Sequence, residues 1–234
     1  MSSPKSAGRT VGLLLFVHLA AGLTTPYILL QPLSTSPNFV AVAAGMSFKI
    51  RLAVLMLFVG GAVTIAVAAL PFFRRHGRAT ALWLLALAAA NFSLQCVENA
   101  GWMSMLSLSQ EYARAGAGEA ALFQGLGAVV RAAWKWTHYA HLLVAVAWMF
   151  LLCGVLYRSA LVPRALAAFG MATALLQIAG ITLPQFLGYG SVTPAGMPLG
   201  VSYLALILWL AFKGFDESRR TLHAGARAVE PAAA

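Results

Sequence analysis

Six mostly apolar stretches, at 10–30, 49–73, 79–105, 134–157, 165–187 and 199–212, are separated by polar turns that carry most of the charge. A helix needs about 20 apolar residues to cross the hydrocarbon core of a bilayer. Inside lipid, every backbone N–H and C=O must be satisfied within the crossing structure itself. The fold class that follows is all-α: a polytopic integral membrane helix bundle of about six transmembrane helices. Only 9% of the 234 residues are charged, against about a quarter in soluble domains, which rules out a water-soluble fold. The expected organisation is a cytoplasmic lead at 1–9, one transmembrane domain at 10–215, and a cytoplasmic tail at 216–234 that is partly disordered.

The basic lead followed by an apolar run resembles a signal peptide in outline. However, the apolar run continues past Ala21 to Leu30, and no small-x-small cleavage pattern precedes Gly22. It reads as a retained helix, with Pro26 as its kink point. The Pro/Ser-rich link after Gln31 leads into 38–48, too weakly apolar to cross, so a loop or an interfacial helix is expected there. Gly60-Gly61 permits a close helix contact in the second span. The segment 115–133 reads as the longest connection, partly helical at the surface, and 188–198 is a loop by composition. Pro163 suits the first turn of the fifth span.

Net charge is +10, and its placement matters more than its size. Eleven Lys and Arg fall at the N-terminus, the 2–3 turn, the 4–5 turn and the C-terminus, and five on the other side. The positive-inside rule therefore puts both termini in the cytoplasm. An even number of spans requires the same thing. Because the basic residues flank spans and no basic run is interleaved with aromatics in a soluble segment, nucleic acid is not an expected partner. The expected surroundings are the lipid bilayer and a small or amphipathic ligand. Cys96 and Cys153 are single and widely spaced, which suggests packing residues and no disulfide or zinc pattern.

One polar stripe interrupts the third span. Asn91, Gln95, Glu98 and Trp102 recur at helical spacing, and a lipid-facing position would strand them in hydrocarbon, so they should face protein. Counting 1.5 Å per residue from the basic turns puts Glu98 roughly 30 Å up, level with His138 and His141 of the fourth span. Arg51 lies slightly higher, and Gln177 about 10 Å below Pro184 and Gln185 on the fifth span. The same count leaves His18 out, at only about 13 Å from Arg9.

Three readings of Glu98 with His138 and His141 stay open. The carboxylate and imidazoles can pair and orient the helices. They can line an outward polar pocket between helices 3, 4 and 5, with Arg51 and Lys135 attracting an anionic group. Or they can hold a metal, since a catalytic zinc takes three protein ligands plus water; a haem would instead pair His18 with His138 or His141. No cofactor is expected on the leading reading, which is a non-enzymatic protein that binds, passes or supports a small ligand. The alternative is a membrane-embedded metal-dependent enzyme. The chain contains no G-x-S-x-G, H-E-x-x-H or phosphate loop. Trp83, Trp102, Trp134, Trp136 and Tyr139 read as interfacial anchors and packing.

The run from His138-Tyr-Ala-His141 through Gly154-Val-Leu-Tyr157-Arg158-Ser159 to Pro163-Arg164, and a last helix ending Trp209-Leu-Ala-Phe-Lys213-Gly214, carries a family resemblance. With Arg51-Leu at the start of the second span and the polar third span, it resembles the bacterial multi-spanning family known as domain of unknown function 4386. The resemblance covers roughly 8–215. It implies a six-helix protein of a bacterial cytoplasmic (inner) membrane and implies no reaction.

Overall fold

A computed structural model describes residues 4–36, 38–75, 77–115, 117–189 and 197–216. Among these residues the chain is helical, with no strand. Helix α1 (Pro4–Thr24) runs into a π-helical turn at Thr25–Leu29. Pro26 has no N–H to donate there, and Leu30 N–H reaches back to the Thr25 carbonyl at 2.9 Å. The polar lead is thus part of the helix from Pro4 onward, with proline at a first-turn position where its missing N–H costs nothing.

The link that follows is two short helices, α2 (Gln31–Thr35) and α3 (Phe39–Val42), then a 3₁₀ turn at Ala43–Met46. Helix α4 (Ser47–Ala68) ends earlier than the apolar run suggests. Pro71 forces Leu70 into extended backbone, φ −57° and ψ 129°, and opens the short α5 (Pro71–Arg74).

Two long helices come next: α6 (Arg78–Arg114), of 37 residues, and α7 (Ala120–Arg158), of 39. The long connection expected at 115–133 is therefore a correction. Helix α6 ends at Arg114, a 3₁₀ turn spans Ala117–Glu119, and α7 begins at once. Its glycines and scattered polar residues look loop-like in sequence. Yet Gly127 is buried against Val40 and Phe39, and the intervening Ala, Leu, Gln and Arg favour helix.

Helix α8 (Arg164–Phe186) follows Pro163, which sits at its N-cap and not inside the first turn. Helix α9 (Met197–Lys213) closes the described chain, so Met197 and Pro198 do begin the sixth span. The central part of the expected 188–198 loop, 190–196, and the expected disordered tail beyond Asp216 lie outside the described residues.

Pro4–Leu29, Phe39–Arg74, Arg78–Arg114, Ala120–Arg158 and Arg164–Phe186 are long and apolar enough to cross a membrane, and Pro198–Lys213 is a shorter apolar helix. Leu13, Phe16, Phe58, Leu82, Leu175 and Leu204 are exposed, a surface that lipid covers and water would not. The protein is a multi-pass membrane helix bundle.

The chain divides into two compact units. The first contains Met1–Phe16, Val67–Ala86 and Val146–Ala234. Here the start of α1 meets the end of α9: a Cβ at Gly8 would fall on the backbone of Gly214 and Phe215. Phe215 is buried, stacked on Phe72 at 4.6 Å, and Asp216 N–H donates to the Leu161 carbonyl at 3.0 Å. Two helix ends in contact lie on one side of a membrane, so the start of α1 and the end of α9 share a side. Helices α8 and α9 pack on each other through Thr173 and Ser202, whose hydroxyls are 2.7 Å apart. Gly170 lets α8 approach α7, since a Cβ there would lie 2.6 Å from Cys153 Sγ. Both cysteines are free thiols.

The second unit contains Val17–Ala66 and Leu87–Ala145. Its core joins the short link to the long helices: Leu30, Leu33, Phe39, Val40, Ala43, Ile50 and Ala53 pack with Trp102, Met105 and Leu106. The link between the first two spans is therefore folded, and buried, over α6. Ser109, fully buried, ties it down by donating to the Val40 carbonyl at 2.6 Å and accepting from Ala44 N–H at 2.7 Å. Replacing Ser109 with alanine strands both backbone groups. It should cost about 1–3 kcal/mol, measured as a lowered unfolding midpoint in detergent, while the exposed Ser104→Ala changes it little.

Candidate polar site on the long helices

The polar stripe of α6 is buried throughout. Asn91 is 0% exposed, Gln95 and Glu98 4%, Asn99 6% and Trp102 5%. The expectation that the stripe faces protein holds. Each member then needs a partner, because an unpaired buried polar group costs about 1–3 kcal/mol. Gln95 Nε2 donates to Asn99 Oδ1 at 3.1 Å, and Asn99 Nδ2 donates to the Val54 carbonyl of α4 at 3.3 Å. Asn91 Nδ2 contacts Thr64 Oγ1 at 3.5 Å, and that hydroxyl donates to the Gly61 carbonyl at 2.7 Å. Gly61 lets α4 sit directly on this stripe, since a Cβ there would press on Phe92 and Gln95.

Glu98 is bridged by α7. His138 Nδ1 lies 2.9 Å from Glu98 Oε1, and His141 Nδ1 lies 2.7 Å from Glu98 Oε2. The i, i+3 spacing sets both rings on one face of α7. Each ring presents Nδ1–H to its own carboxylate oxygen, so the carboxylate accepts one hydrogen bond on each side. This fixes both tautomers, with Nε2 of each ring as the nitrogen left over. The two histidines differ in access: the side chain of His141 is 11% exposed and that of His138 34%. A polar chain thus leads from an accessible imidazole to an enclosed carboxylate.

An aromatic ladder backs this chain. Trp134 stacks on His138 with ring centres 5.3 Å apart, and Trp102 lies 4.5 Å from Trp134. Gly101 makes room, since a Cβ there would come within 3.1 Å of the Trp134 ring. The indole N–H groups of Trp102 and Trp134, and Asn91 Oδ1, are buried with no protein hydrogen-bond partner. Lys135 Nζ sits over the rings of Trp136 and Tyr139 at 5.5 and 5.8 Å.

The structure brings together Glu98, His138 and His141, with Gln95 and Asn91 further along the same face of α6. It does not bring Arg51 to them: Arg51 is exposed near the start of α4, and none of these hydrogen bonds reaches it. Gln177, half-buried on α8, belongs to the first unit. Among the described residues, the hydrogen bonds to Glu98 come from α7. His18, set apart by depth counting, falls in the same unit as the cluster. It meets the Gly60 carbonyl at 2.9 Å. Asn99 was missed, though its i+4 offset from Gln95 marks it. Ser109 and the Trp134–His138 stack left no signal in spacing.

Among the described residues no group of three or more His, Cys, Asp or Glu side chains could hold a metal ion. In the cluster, each Nδ1 is spent on a different carboxylate oxygen, so the three side chains do not converge on one point. The chemistry on offer is hydrogen bonding and charge pairing.

The family described as Domain of unknown function (DUF4386) matches residues 10–214. No curated protein and no solved structure matches the chain.

Proposed function

The chain belongs to the DUF4386 family, and on that premise we propose that it is a non-enzymatic ligand-binding protein of a bacterial cytoplasmic membrane. Its site is built on Glu98, His138 and His141, near the outer side, with both termini in the cytoplasm. The ligand class is a small amphipathic molecule carrying a hydrogen-bond donor, such as a hydroxyl, for the Nε2 that Glu98 leaves over on His138. One observation carries the reading: a carboxylate 4% exposed within a crossing helix is joined to the surface by an imidazole one-third exposed. A purely structural pair would be enclosed on both sides, and ionisable residues inside spans are functional candidates by default. Glu98 orients His138, whose Nε2 meets the ligand. The aromatic ladder takes its apolar part.

The test is thermal unfolding of purified protein in detergent, with and without an organic extract of its host membrane. The extract should raise the midpoint of the wild type. Glu98→Gln and His138→Ala should fold and lose the shift. Retention of the shift in both variants would overturn the reading. Failure of both to fold would make the cluster a helix-orienting pair and nothing more.

A further inference from the structure

Away from the Glu98 cluster, the second unit contains a cavity of about 320 Å³ lined by Asn38, Phe39, Val40, Gln124, Gly127, Ala128 and Arg131. It lies between the folded link and the first turns of α7, roughly 10 Å along that helix from His138. Ligand cavities start at about 300 Å³, so the volume suits a small group.

Arg131 gives the cavity its chemistry. One guanidinium nitrogen, Nη2, donates to the carbonyls of Ser36 at 2.8 Å and Leu33 at 3.3 Å. The cation sits over the Phe39 ring at 5.1 Å. These contacts hold the guanidinium in one place without neutralising it: among the described residues, no ion pair includes Arg131. Nη2 has two hydrogens and both are used, which leaves three N–H groups of the five. Asn38 and Gln124 add a carboxamide NH₂ each. A fixed cation with this many donors exceeds what the two oxygens of a carboxylate can accept and matches the three or four oxygens of a phosphate. Beside the donors, Phe39, Val40, Gly127 and Ala128 add apolar lining for a carbon chain. Gly127 shapes that lining, because a Cβ there would lie 2.6 Å from Val40 Cγ2.

We propose that this cavity is a phosphate-binding site, distinct from the Glu98 cluster, in which Arg131 is the anchor and Asn38 and Gln124 complete the donor set. The phosphate can come from a phospholipid headgroup or from a soluble molecule, and the two sources separate in one experiment. Thermal unfolding in an uncharged maltoside detergent is followed against dihexanoyl phosphatidylglycerol, against inorganic phosphate, and against sodium chloride at matched ionic strength.

Stabilisation of the wild type by either phosphate probe beyond the chloride control is expected. A response to the lipid alone assigns the site to a headgroup; a response to both admits a soluble phosphate. Arg131→Gln should bind at least tenfold more weakly. Because Arg131 also ties down two carbonyls, that variant can lose stability for another reason, so Gln124→Glu decides. Gln124 is exposed, its substitution leaves the fold intact, and a carboxylate there repels phosphate, again with at least a tenfold loss. No stabilisation of the wild type beyond chloride, or wild-type affinity in Gln124→Glu, would overturn the proposal.

Discussion

Replacing Glu98 with alanine should destabilise the folded protein by about 2–6 kcal/mol, since each of two ring N–H groups left without its acceptor costs about 1–3 kcal/mol. His138 and His141 both direct Nδ1 at this carboxylate, and alanine leaves two ring N–H groups with no acceptor. Glu98→Gln is milder. It keeps one oxygen to accept from one ring and turns an NH₂ toward the other, so about 1–3 kcal/mol is expected from one broken bond. The measurement is equilibrium unfolding in mixed micelles. A double cycle with His141→Ala should show strong coupling, since the second substitution costs little once the carboxylate is gone. Additive losses, or an alanine variant within about 1 kcal/mol of wild type, would mean that the three side chains do not act together.

The second large effect is expected where the start of α1 touches the end of α9. Gly214 has φ +71°, a region where a side chain costs about 1–3 kcal/mol. A Cβ there would also fall on the Lys5 carbonyl, and overpacking against rigid backbone adds about 1–3 kcal/mol. Gly214→Val should therefore lower stability by about 3 kcal/mol or more. Gly22→Ala is the control. It lies in the same α1, has nothing within 4 Å of its Cβ position, and gains helix propensity, so it should be neutral or slightly stabilising. Equal losses at both sites would show that the close approach of α1 and α9 does not matter.

What could be read from the residues divides along physical lines. Apolar run length and the flanking charges reveal crossing helices because lipid imposes one rule on every span. Spacing reveals that Asn91, Gln95, Glu98 and Trp102 share a buried face, and rise per residue brings Glu98 level with His138 and His141. Where the signal came from local chemistry opposed by packing, it misled. The start of α7 looks like a loop because of Gly125 and Gly127, but Gly127 is there to admit Val40. The second apolar run looks continuous through Pro71, but proline acts on Leu70 before it and ends α4 early. Arg51 seemed to belong to the site because depth alone was considered; helix rotation, which a depth count ignores, leaves it exposed. Arg131 could not be found at all, since its partners are the backbone carbonyls of Leu33 and Ser36, nearly 100 residues away in the chain.

The contact between Gly8 and Phe215 also has a bearing on how the chain is assembled. The first turns of α1 are completed by residues at the end of α9, so they stay unsealed until α9 has been made. Contacts between α1 and the end of α9 have a large sequence separation, and such contacts are slow to form. Phe215, wedged beside Phe72 and Phe73, is then the stopper that shuts the first unit once α9 has inserted. Until Phe215 arrives the first unit stands open.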